Sequence, residues 1–253
     1  MSQRTDGLGA MAKPRIHKLD ALDHFSGGVP TAEYFRGTLE DLRAICLRQG
    51  TSSGINRELE LCLIGLTSYF EAFCKDHFAA LVNIEPSLVE GLAATGQDVD
   101  IDARRLLSLG DQVFSKLGFV VAERYDFGTS KKVNALFAAL LRVTPFSKDE
   151  GRRFDLLIRD RNLLVHHGGT YTLSYLEQGT LAAPRERTRA YMDNLVLNTQ
   201  GMVGAIEFLE GMAKKLAHST RLALQKYASE RGITYDRVRK QAIRYLDYFD
   251  SAE

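Results

Sequence analysis

Apolar side chains recur at three- and four-residue spacings along most of the chain, the period of helices that bury one face. Phe35, Leu39, Leu42 and Ile45 predict a helix from Thr31, read as its N-cap, to about Gln49, with a break over 50–54. Leu59, Cys62, Leu63, Leu66, Tyr69, Phe70, Phe73, His77 and Leu81 predict a long helix over about 55–83, stopped by Pro86. Residues 87–94 suit a short helix, and 95–112 hold little pattern beyond a turn at Thr95-Gly96. Val133, Leu136, Phe137, Leu140 and Leu141 mark a helix between a cap signal at 127–132 and Pro145. Phe154, Leu157, Ile158, Leu164 and Val165 mark the next, from Ser147 to about His166, with Asp149 and Glu150 suited to its N-terminal dipole. Val203, Ile206, Leu209, Met212, Ala213 and Leu216 predict a second long helix over 194–229. Val238, Ala242, Tyr245 and Phe249 lie on one side of a final one over 233–249. Between the motif helix and the second long helix, residues 168–192 read as loop with room for one short β-hairpin. Residues 1–30, polar and closed by Gly27-Gly28 and Pro30, read as a flexible arm. With no convincing series of strands, the expected fold is an all-α bundle of long antiparallel helices.

Composition narrows the function classes. The chain has 253 residues, 45% hydrophobic and 26% charged, with a net charge of only +1, so any nucleic-acid site is a local patch. It has no run of apolar residues long enough for a membrane span, and its first residues lack a secretory apolar core. Cys46, Cys62 and Cys74 fall on apolar helix faces, odd in number and widely spaced, which opposes a disulfide framework or a zinc site. They fit reduced core thiols of a cytoplasmic protein. His17, His24 and His218 share no ligand spacing, and the common metal and nucleotide motifs are absent, so neither a metal nor a cofactor is expected. His77, on the apolar side of its helix, fits a satisfied core histidine, with Glu71 or Asp76 as nearby acids.

The chemistry concentrates in Arg161-Asn162-Leu163-Leu164-Val165-His166. Histidine moves protons near neutral pH, and arginine grips phosphate oxygens through a planar fork of donors. Arg161 falls within the apolar stripe, where a lone charge is costly. Asp155, Arg159, Asn162 and His166, spaced four, three and four, form a separate polar column. Arg161 and His166 therefore stand about 140° apart on one helix. They converge on one substrate if the arginine wraps around, if the helix frays, or if a second copy supplies the partner group. Leu156 and Leu163, seven apart beyond the polar column, are placed to seat such a copy. In the competing reading Arg161 pairs with a buried carboxylate and His166 is a C-terminal helix cation. His167 points away from the column, beside Asp160. Among the basic clusters, Arg152-Arg153 and Arg159 are best placed to flank the motif, and Tyr171 and Tyr175 follow it closely enough to stack on bases.

Arg161-Asn162 followed by His166 at the end of an amphipathic helix resembles the R-x4-6-H signature of the HEPN superfamily. "RDRNLLVHHGG" is similar to a form common in bacterial members, "LTSYFEAFCKDHF" to an earlier long helix and "YDFGTSKKVNALF" to the linker and third helix. The resemblance covers about 31–230, leaving 231–253 as a helix packed on or extending that domain. It implies an all-α, dimeric, metal-independent endoribonuclease of toxin, defence or RNA-processing kind. Arg161 and His166 of both protomers would be catalytic in a shared cleft, and Asn162 would contact substrate beside Arg159, Asp155 and Tyr171. RNA, single-stranded or structured, and a cognate antitoxin or other regulatory protein would be partners. Some members are binding modules without activity. One subgroup carries a modified tyrosine two residues after the histidine, where this chain has Gly168.

Overall fold

A computed structural model describes residues 19–50, 54–97, 99–178 and 184–249. Among them are eleven α-helices and no named strand. The long ones are α1 (Thr31–Arg48), α2 (Arg57–Ile84), α7 (Lys148–His167) and α10 (Thr199–Glu230). Shorter ones are α3 (Val89–Ala94), α4 (Ala103–Leu109), α5 (Val113–Ala122), α6 (Ser130–Leu141), α8 (Leu173–Glu177), α9 (Pro184–Ala190) and α11 (Arg237–Tyr245).

The central element is α2, packed against α1, α5, α7 and α10. Its ends follow from local chemistry. The Asn56 side chain accepts from the amides of Glu58 and Leu59, and Glu85 precedes Pro86, which lacks the N–H a continuing helix needs. Both its faces are used, so it is buried nearly all round toward its C-terminal end, from Phe78 to Ile84. Phe70 meets Phe35, Phe73, Phe146 and Phe154 at ring-centroid distances of 5.2–6.2 Å. Phe78 meets Tyr125, Phe127 and Phe137. Each such ring, taken out of water, contributes on the order of 1.5–3 kcal/mol.

Several expectations need correction. Thr31 is the first residue of α1, and its cap is Pro30, which offers no side-chain acceptor. The arm predicted over 1–30 does not hold for residues 19–30, which form two short 3-10 turns with Ala21, His24 and Phe25 buried in the core. Residues 1–18, like 51–53 of the predicted break, lie outside the described residues. The final helix is shorter than 233–249, starting only after the Asp236 cap, yet Ala242, Ile243, Leu246 and Phe249 enter the same core. Helix α5 was not predicted. A methyl on Gly118 would run into the Ala79 carbonyl, so glycine lets α5 lie directly on α2, and the Gly118 amide donates to Asn83 Oδ1 at 2.7 Å. The hairpin predicted within 168–192 reduces to one antiparallel bridge, Thr170 with Asn194, alongside α8 and α9. Thr172 starts α8 because its hydroxyl accepts from the Tyr175 amide.

The motif helix α7 is fixed at its start by three devices. Asn134 of α6 exchanges two hydrogen bonds with the Phe146 backbone, at 2.8 and 2.9 Å. Ser147 and Glu150 form a reciprocal capping box. Glu150 also pairs with Lys215 of α10 at 2.7 Å. Its end is set by Gly168 and Gly169, at φ 60° and 88°, whose amides return to the carbonyls of Leu164 and Leu163. No helix among the described residues is long and apolar enough to cross a membrane.

Candidate functional site

The C-terminal half of α7 and the segment after it enclose a groove of about 370 Å³ lined by Asp155, Arg159, Asn162, His166, His167, Thr172, Tyr175 and Gln178, over a floor of Ile158 and Leu163. The polar column predicted from spacing is thus one wall of a real concavity. His166 stands exposed on it, and no hydrogen bond reaches its imidazole from the described residues. Asn162, also exposed, accepts on Oδ1 from Arg161 Nη1 at 2.9 Å. Arg161 itself does not line the groove. It lies half-buried on the flank toward α2, where Glu71 is its electrostatic partner without an ion pair within 4 Å. Burial pushes the Glu71 carboxyl up, and the Arg161 charge opposes that rise. No group among the described residues accepts from Arg161 Nε, although it is buried.

The predicted substrate contacts divide. Asp155 is spoken for: Oδ1 accepts from the Ser130 amide and Oδ2 from the Ser130 hydroxyl, tying α7 to the start of α6. Arg159 is held just as firmly. Its guanidinium lies 4.4 Å from the Tyr175 ring centre and donates to the Gln178 carbonyl at 3.0 Å. The Tyr175 hydroxyl donates to Asp160 at 2.7 Å; burial pushes that carboxyl up, and this hydrogen bond pulls it back. Tyr171 stacks on Tyr175 with centroids 5.2 Å apart and lies outside the groove. Of the basic residues thought to flank the motif, Arg153 is spent on α10, over Phe208 and on the Gly204 carbonyl.

Three further expectations change. Val165, assigned to the buried stripe, is 48% exposed, and Leu163, assigned to a dimer seat, is 3% exposed. Leu163 is covered within the protomer, so it is not available to a second copy; Leu156, at 42%, still is. His167 lines the same groove as His166 rather than pointing away. The groove residues the sequence did not reveal are Thr172, Ser174 and Gln178. They lie on α8 or at its two caps, a single helical turn too short for a periodic signal; the Thr172 cap is the only cue.

The other candidates are closed. His77 is fully buried, its Nε2 2.7 Å from the Thr220 hydroxyl, and burial pulls its pKa down to about 4. All three cysteines are free and buried, and burial pushes the Cys46 thiol up to about 12. Among the described residues no three His, Cys, Asp or Glu side chains converge as a metal site requires. Compared with models of known protein families, with characterised proteins and with solved structures, the chain matches none.

Proposed function

We propose that this protein is an RNA-cleaving enzyme of HEPN type, using the ribose 2′-hydroxyl as nucleophile without a metal. The observation that carries the reading is that His166 opens onto a polar groove whose rim residue, Asn162, also holds the Arg161 guanidinium. In this mechanism His166 takes the 2′-hydroxyl proton or protonates the departing 5′-oxygen. Arg161, hydrogen-bonded among the described residues only through Nη1 to Asn162, stabilises charge developing on the phosphate. DNA, lacking the 2′-hydroxyl, is not a substrate.

Arg161 and His166 occupy different flanks of α7, which supports a two-fold pair in which each cleft takes the arginine of one copy and the histidine of the other. Mixing inactive Arg161→Ala and His166→Ala proteins tests it. A shared cleft restores about a quarter of wild-type cleavage, since half the dimers then hold one intact site out of two. No restoration, with wild type active as a monomer, removes the shared cleft and leaves a site within one chain bridged by Asn162. One observation favours a second reading, a nucleotide- or protein-binding module without turnover: no group orients the His166 ring, whereas a catalytic histidine is ordinarily held by one.

A further inference from the structure

Resting on the RNA reading above, we infer that a second concavity beyond His167 is a subsite for a nucleobase of the same RNA. The two hollows share a wall. His167 and Thr172 line both. On one side lie the polar groups of the His166 groove. On the other, a hollow of about 450 Å³ is bounded by Thr170, Tyr171, Leu173, Tyr191 and Met192. A chain whose sugar-phosphate lies along the first has the second within reach of an adjacent base.

The chemistry of the second hollow suits a flat aromatic ligand. Tyr171 presents a ring already rigid, since it is backed by Tyr175, which carries Arg159 in turn. Its backbone is clamped on both sides: the Tyr171 amide donates to the Asp193 carbonyl at 2.8 Å, and the Met192 amide to the Tyr171 carbonyl at 3.3 Å. Across from it, Leu173, Tyr191 and Met192 stand 54%, 46% and 61% exposed, a cluster of large apolar side chains on a polar rim. Met192 holds φ at 72°, a left-handed conformation that is strained for a methionine. Strain of this kind persists where the surrounding structure imposes it, and it clusters at ligand sites. Here it sets an apolar side chain facing water beside two tyrosines. Stacking on such a platform accepts any base, because every base has a π-face. The subsite therefore strengthens binding of single-stranded RNA without reading its sequence.

The test uses the full chain and a labelled 2′-O-methyl oligoadenylate, which cannot be cleaved through its 2′-oxygen, beside the same backbone with its bases removed. The subsite predicts that removing the bases weakens binding about tenfold, the effect of one aromatic–base stack. Tyr191→Ala with Met192→Gly produces the same loss on the oligoadenylate, none on the abasic chain, and an unchanged thermal melt. On cleavable RNA this variant raises KM and keeps kcat. Equal binding of both probes by the wild type, or wild-type binding by the variant, overturns the subsite while leaving cleavage untouched. Variant-sensitive, base-dependent binding without any cleavage upholds the subsite and overturns the nuclease. Failure of wild type to bind either probe overturns both.

Discussion

Two histidines on long helices, His77 and His166, show what burial does to the same side chain. His77 is shut between α2 and α10, stacked on Phe73 at 5.6 Å and bonded to Thr220. His166 stands exposed at the end of α7 with no partner among the described residues. The first ring is held neutral by its surroundings and has a packing role. The second is open to a groove, beside an Asn162 that also holds the Arg161 guanidinium. The His77 ring is spent on packing and on Thr220, and the His166 ring is left over. An unspent imidazole facing a groove is a better pointer to function than the presence of a histidine alone.

The contrast is most forcefully broken by charging the closed side. His77→Glu places an uncompensated carboxylate among Phe73, Phe137 and Thr220, and should cost about 3–5 kcal/mol. Thermal unfolding followed by circular dichroism checks it; a melting temperature near that of the wild type would show that the site is wet.

Acid should reveal the same closure. The folded pKa of His77 lies near 4, below its usual 6.5, so the unfolded chain binds the proton first as pH falls. Stability is therefore complete above pH 6.5 and drains away from there toward pH 4. This group alone accounts for on the order of 3 kcal/mol over that window. Burial also pulls His24 down, which acts in the same direction. Urea titrations at neutral and acid pH should show the loss, and His77→Phe should flatten most of it. An identical acid loss in that variant would assign the effect elsewhere.

On the open side, the flank of α7 tied to α8 is the stiffer. Tyr175→Phe removes the hydroxyl that donates to the half-buried Asp160 and should cost about 1–2 kcal/mol in urea unfolding. An unchanged midpoint would mean that α8 does not hold the groove wall. The smallest stability effect belongs to His166→Ala, expected within about 0.5 kcal/mol of wild type because nothing among the described residues contacts its ring nitrogens.

The helices that bury a broad stripe were legible from their spacing: α1, α2, α6, α7 and α10 lie within a few residues of their predicted bounds, α10 least closely at its start. Helix α5 was not, because it is a short, nearly continuous apolar run over 117–122 without a clear three-four period, and its close approach to α2 is made at Gly118. The site was half legible. The column Asp155–Arg159–Asn162–His166 is a groove wall because helix geometry alone places those residues together. Which of them are spent was invisible, since Ser130, Gln178 and Tyr175 reach Asp155 and Arg159 from other elements. Leu163 misled for the same reason: its cover comes from within the protomer rather than from a second copy.

The central claim, that the open end of α7 cleaves RNA, is tested most directly by incubating purified protein with RNA in EDTA. Wild type should cut, leaving 2′,3′-cyclic phosphate ends. His166→Ala should be about a hundredfold or more slower at an unchanged melting temperature. Arg161→Lys should be nearly as slow as Arg161→Ala, because lysine keeps the charge and loses the fork. No cleavage by wild type, cleavage that vanishes in EDTA, or His166→Ala cutting at the wild-type rate would contradict the account.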